Sequence, residues 1–186
     1  MKTALTWTIA AALMVGAWLV SLAVPNEVAW RDGYAVTGAL GEEISDRNMS
    51  VTVHGVSIAS IVTEGSDSRA RSDDAQWVVI KLSAQALTDE TEASLTHATL
   101  TVNGDEYRPS DRLRNGMERS TLSIAAPAEG FLVFEIPEPY AGATAELRLG
   151  ARWDVDNADT YLSFTVDLAE AQRVAMMAIE PKSVGY

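Results

Sequence analysis

Beyond residue 33 the chain reads as short runs of apolar residues. Some alternate with polar residues, others follow one another without a break, and clusters of Gly, Asp, Asn, Ser and Pro separate them. Period-two alternation marks a half-buried strand, and a short unbroken apolar run marks a strand covered on both faces. Residues 34–40 (YAVTGAL) give a weak first strand, closed by Gly41 and the acids after it. Residues 49–62 (MSVTVHGVSIASIV) give a stronger one. There Val51 and Val53 alternate with Thr52 and His54, Gly55 intervenes, and Val56, Ile58 and a shifted Ile61 carry on. A glycine interrupting such a run predicts a bulge or kink. Residues 63–75 (TEGSDSRARSDDA) are polar and read as a loop. In residues 76–87 (QWVVIKLSAQAL), Trp77, Val78, Val79, Ile80 and Leu82 predict a central strand. Residues 95–102 lead into Asn103-Gly104-Asp105, a turn that favours positive φ, and then into Glu106-Tyr107.

Residues 122–124, 130–136 (GFLVFEI), 143–149 (ATAELRL) and 161–168 (YLSFTVDL) complete the set. In the last, Leu162, Phe164, Val166 and Leu168 face one way and Tyr161, Ser163, Thr165 and Asp167 the other. Strands with short connections and no interleaved amphipathic helix predict an all-β fold, an antiparallel β-sandwich of about seven to nine strands. Residues 169–180 (AEAQRVAMMAIE) are Ala-rich and read as a short helix, with a further strand as the alternative. As a helix it would dock Val174, Met177 and Ile179 on the sandwich, ahead of Pro181 and a loose tail.

The N-terminus is different. Residues 4–24 (ALTWTIAAALMVGAWLVSLAV) carry no charge, follow Lys2 and precede Pro25, Asn26 and Glu27. As a helix this stretch would be about 31 Å long, which matches a bilayer core. Lys2 then stays in the cytoplasm and the remainder passes outside. An uncleaved anchor is favoured over a cleaved signal, because the run is longer than the ~7–15 residues of a signal h-region. The alternative is secretion after cleavage near Ala23, where Ser21-Leu22-Ala23 offers small residues. The organisation is therefore an anchor helix at 1–26, a linker and weak strand at 27–47, the sandwich at 48–168, and a C-terminal segment at 169–186.

Charge and cysteine content narrow the partners. The chain has a formal net charge of −12, and without Lys2 the rest carries −13. Nucleic-acid phosphates and anionic headgroups repel such a domain, so nucleic acid is excluded as a partner and membrane attachment falls to residues 4–24. With no cysteine, there is no disulfide, thiolate zinc site, catalytic thiol or acyl anchor.

One stretch is familiar. Residues 126–149 (APAEGFLVFEIPEPYAGATAELRL) place Gly130 before Leu132-Val133-Phe134-Glu135-Ile136-Pro137, then Leu147 and Leu149. Upstream stand Trp77-Val78-Val79-Ile80 and Leu100-Thr101-Val102-Asn103-Gly104-Asp105-Glu106-Tyr107. Over roughly residues 49–168 this resembles the telokin-like, immunoglobulin-fold domain family of unknown function on Gram-positive surface proteins. The resemblance implies an immunoglobulin-like sandwich and a surface location. It implies no reaction. The chain departs from the family pattern in lacking a lipobox Cys, for which the apolar helix would substitute.

Two clusters are candidate sites. Asp154, Asp156 and Asp159, with Asn157, gather side-chain oxygens of the kind Ca²⁺ takes. The EF-hand spacing is absent, and a solvated acidic turn is the plainer reading. Arg108, Arg112, Arg114 and Arg119 concentrate positive charge on an acidic chain, as a docking loop for an envelope protein or cell-wall polymer would. Asp111 and Glu118 lie among them, so local ion pairs are the plainer reading there. His54 and His97 stand singly, without metal-ligand spacing. Trp77, Trp153, Phe131, Phe134 and Tyr140 read as packing residues.

No nucleophile elbow, S-x-x-K motif or phosphate-cradling glycine loop occurs. The expectation is a non-enzymatic, membrane-tethered domain outside the cytoplasmic membrane with a binding or accessory role, and no cofactor unless calcium. The alternatives are an envelope hydrolase using paired carboxylates and a subunit of a membrane complex.

Overall fold

The computed structural model describes Trp7 and residues 13–16, 34–65, 68–71, 74–88, 94–140, 142–150 and 160–184. Twelve strands fall in these residues: β1 Ala35–Gly38, β2 Glu43–Ser45, β3 Met49–Glu64, β4 Ser68–Arg71, β5 Ala75–Ala86, β6 His97–Val102, β7 Asp105–Tyr107, β8 Ala128–Pro137, β9 Thr144–Gly150, β10 Tyr161–Asp167, β11 Gln172–Ala178 and β12 Ser183–Val184. Short 3-10 turns occur at Met117–Arg119 and Glu138–Tyr140.

The strands form two sheets. One has five strands in the order β1-β10-β9-β6-β7. The other has seven, in the order β11-β3-β5-β8-β12, with β2 and β4 also pairing β3. Their inner faces share one core, in which Met49, Val51, Ile80, Leu82, Leu132 and Phe134 meet Leu100, Leu147, Leu162 and Phe164. The molecule is thus a β-sandwich. Its sheets are mixed and not purely antiparallel as expected, because β1 runs parallel to β10 and β11 parallel to β3.

The bulge forms where the glycine foretold it. The β3–β5 register shifts between Val53 and Gly55. Buried positions on β3 change parity there, from Met49, Val51 and Val53 to Ile58. One inserted residue turns each later side chain to the opposite face, so the shift keeps the apolar set pointing inward. At the β6–β7 hairpin Asn103 (φ 52) and Gly104 (φ 92) both adopt left-handed conformations, as a two-residue turn that follows strand twist requires.

Several expectations are corrected. The polar 63–75 segment holds β4, which folds back on the end of β3. Residues 122–124 form no strand. Leu122 is nonetheless fully buried, next to an isolated bridge between Ser94 and Thr121. Residues 172–178 extend beside β3 as a strand, and β12 pairs with β8 where a loose tail was expected. Val174, Met177 and Ile179 do dock on the sandwich. The apolar segment 4–24 lies almost wholly outside the described residues. Among the described residues no helix is long and apolar enough to cross a membrane.

Part of the seven-stranded sheet is covered on both faces. Trp77 and Val79 of β5, Val133 of β8, and Ala59 and Val62 of β3 form a second apolar cluster on its outer side, closed by Leu113 and Ile179. This accounts for the unbroken apolar run of β5, in which Trp77, Val78, Val79 and Ile80 are all at most 1% exposed.

Candidate functional site

The outer face of the five-stranded sheet gathers the most concentrated polar chemistry. Strands β6, β9 and β10 align Thr99, Arg148 and Ser163 in one cross-strand row and Thr101, Glu146 and Thr165 in the next. Period-two alternation sends Leu100, Leu147 and Phe164 inward, and so turns these rows outward. Arg148 donates to Glu146 Oε2 at 3.0 Å, and Ser163 Oγ donates to Glu146 Oε1 at 2.7 Å. The Arg148 guanidinium also lies 5.3 Å from the centre of the Tyr161 ring. Thr99 and Ser163 are buried despite their outward position.

These contacts set the protonation of two groups. The Arg148 hydrogen bond holds the Glu146 carboxyl below its usual value, against an opposing push from burial, and the Ser163 hydroxyl adds to the lowering. His97 stands at the end of β6, opposite Gly150. Burial lowers its pKa, nearby Glu106 opposes that, and the Arg108 and Arg148 guanidiniums add to it. At neutral pH the face therefore presents a neutral imidazole and a guanidinium braced by a carboxylate, with the exposed Thr165 opposite that carboxylate. That is a surface suited to hydrogen bonding. A carboxylate kept ionised in this way is the reverse of the raised pKa a general acid needs.

Two of the candidate arginines, Arg108 and Arg112, lie against different sheets. Arg108 follows β7 at the rim of the five-stranded sheet, beside His97. The chain then crosses to the other sheet, where Ser110 N–H donates to Val133 O at 2.8 Å and Pro109 and Gly116 bridge β8. Arg112 lies 5.3 Å over the Trp77 ring and contacts both oxygens of Glu135 at 3.3 Å. At residue 114 the backbone makes the recorded contact: the Arg114 and Asn115 N–H groups both donate to Glu64 Oε1, at 2.7 and 2.6 Å. Arg119 ends the Met117–Arg119 turn. Arg112 is thus ion-paired with Glu135 of β8, and the segment that carries it is a crossover whose Leu113 packs in the outer apolar cluster. Asn115 ties it to the C-terminal segment through Ile179 O at 3.2 Å.

The calcium candidates Asp154, Asp156 and Asp159 lie outside the described residues, as does Trp153. Among the described residues no group of three or more His, Asp or Glu side chains could hold a metal ion. Trp77 and Phe134 are fully buried, as packing residues should be.

His54 projects from the outer face of the seven-stranded sheet, 3.0 Å from Ser83 Oγ. Ser83 also lines a shallow cleft of about 180 Å³ with Glu43, Ser50, Thr52 and Gln85. Ser83 lies in the β3–β5 ladder, whereas His54 is the residue that the bulge leaves out of it.

Sequence reasoning missed the Glu146–Arg148–Ser163 row and the Glu64 contact. The spacing of Glu146 and Arg148 on β9 did carry a signal, since two residues apart on a strand means one face. The partner strand was missing from it.

Neither a family model nor a curated protein matches the chain. Two solved structures resemble it. A "putative lipoprotein" of Staphylococcus aureus aligns with a TM-score of 0.48 at 10% identity, covering 75% of this chain and 97% of its own. An uncharacterized β-sandwich protein of Clostridium difficile aligns with a TM-score of 0.44 at 11% identity, covering 73% of this chain and 97% of its own.

Proposed function

We propose that this chain is a binding domain tethered to a membrane by residues 4–24 and displayed outside it, with the polar face of the five-stranded sheet as its recognition surface. One observation carries the reading. A 21-residue stretch without charge, led by Lys2, ends ten residues before the sandwich begins at β1. Such a stretch is long enough to span a bilayer, and the lysine sets its orientation. The telokin-like, immunoglobulin-fold resemblance supports a surface location.

Binding is favoured over hydrolysis by the state of Glu146, which is engaged by Arg148 and Ser163 and held ionised. The partner class is an envelope protein or cell-wall polymer that offers carboxylates or hydroxyls to Arg148, His97 and Thr165. Membrane fractionation with alkaline extraction tests the tether. The full-length mass should stay with the bilayer and the sandwich should be accessible to external protease. Release of a species beginning near Val24 would overturn it. Crosslinked capture from intact envelopes tests the face. The wild type should retain one component that Arg148→Ala loses, and equal retention by both would reject this surface.

A further inference from the structure

Among the described residues, the seven-stranded sheet ends on a strand of unusual character. Of the strands that close the sheets, β1 has four residues, β7 has three with Asp105 and Glu106 among them, and β12 has two. Strand β11 has seven, and residues 174–178 (VAMMA) carry no charge. Its one recorded strand partner is β3. Met176 is 49% exposed, and Gln172, Arg173, Ala175 and Ala178 are exposed as well. Soluble proteins blunt such edges with charge, proline or brevity, because unpaired N–H and C=O groups recruit another strand.

Hydrogen bonding indicates which groups face outward. Met177 O accepts from Thr63 Oγ1 at 3.5 Å, and Ile179 N–H donates to Thr63 O at 2.8 Å. Both therefore point toward β3. Backbone direction alternates along a strand, so the N–H and C=O of Met176 and Ala178 point away from the sheet.

We infer that β11 is the self-association edge of this protein: two copies pair their β11 strands antiparallel about a two-fold axis at Met176. The occupant follows from charge and register. A second copy centred on Met176 sets Met176 against Met176, Val174 against Ala178 and Arg173 against Ile179. The one charged residue of the strand thus meets an apolar partner, and no like charges face each other although each chain carries −12. The exchange joins β11 to β11 and merges two seven-stranded sheets into one. A single strand pair buries less than the ~1,000 Å² expected of a stable interface, so the dimer is weak and reversible in dilute solution.

The absence of cysteine makes the register directly testable in the full-length protein in detergent micelles. At a hydrogen-bonded antiparallel pair the Cα atoms are about 5.5 Å apart, inside the range a disulfide spans. Met176→Cys should therefore crosslink to a dimer under mild copper–phenanthroline oxidation. Ala175→Cys faces position 177 of the partner, and its own mate is a diagonal neighbour roughly 8 Å away. It should crosslink at least tenfold more slowly. Equal rates at the two positions, or no dimer from a Met176→Cys protein that melts like wild type, would overturn the inference. As a second measurement, sedimentation of the wild type should show a concentration-dependent dimer. Met176→Lys, which sets two ammonium groups face to face, should abolish it. A dimer that survives this change would equally reject the pairing.

Discussion

Leu113→Ala probes how firmly Leu113 fastens the crossover between the two sheets to the outer apolar cluster. Leu113 is 3% exposed and shares the outer cluster with Trp77, Val79, Val133 and Ile179. The substitution removes three carbons. At about 0.8 kcal/mol per buried carbon group, the lost transfer energy is about 2.4 kcal/mol. A residual cavity adds to that, and a loop-borne cap collapses more readily than a strand, so the expected total is about 2.5–3.5 kcal/mol. Ile179→Ala attacks the same cluster from the C-terminal side. Because the two side chains share neighbours, the double variant should fall short of additivity by about 0.5–1 kcal/mol. Urea denaturation of the full-length protein in detergent reads the stability by far-UV circular dichroism, while tryptophan emission reports on Trp77 beneath the cap. A loss under about 0.5 kcal/mol with unchanged emission would refute the fastening, since a surface substitution costs no more than that.

Four further outcomes are expected. Gly104→Ala forces a Cβ onto a residue at φ 92 and should cost about 1 kcal/mol or more in the same denaturation assay. Glu64→Gln weakens a charged acceptor shared by two backbone N–H groups, and should lower stability by about 1–3 kcal/mol and speed amide exchange at Arg114 and Asn115. Acid should destabilise the fold in two stages. His97 binds protons more readily unfolded, so stability falls as pH drops below 6.5 toward its lower folded value; Glu146 adds a loss that begins near 4.5 and continues to its own lowered folded value. His97→Gln should remove the first stage and leave the second. Finally, the Asp154, Asp156 and Asp159 cluster lacks the EF-hand spacing, so melting temperatures in EDTA and in millimolar Ca²⁺ should coincide, and a rise of several degrees would assign it a metal.

Local chemistry was legible where it is local. The Gly55 bulge, the Asn103-Gly104 turn, the burial of Trp77 through Ile80 and of Leu82, and the split faces of β10 each rest on neighbours within a few residues. Pairing at a distance was not. Residues 172–178 have an Ala-rich composition that suits a helix, yet β3 offers an edge that holds them extended, and tertiary context overrides propensity. Strand β4 hides in a polar segment because what sets it is its register against β3, which a linear reading does not contain. Leu122 looked like part of a strand because it is apolar, and it is buried without one. The arginines looked like one patch because they are close in sequence, but the crossover after Tyr107 leaves Arg108 on one sheet and carries Arg112 to the other. The row of Glu146, Arg148 and Ser163 needs the register of β9 against β10, which a linear reading does not contain.

The parallel pairing of β1 with β10 bears on the order of assembly. Ala35 faces Tyr161, with 125 residues of chain between them. A segment synthesised early thus has no ladder to join until nearly everything else has been made. The five-stranded sheet can close from β6, β9 and β10 first, and β1 is then laid along its rim. Contacts this distant pay loop-closure entropy before they return any stabilisation, so the first strand should be the last to gain protection from solvent exchange during refolding.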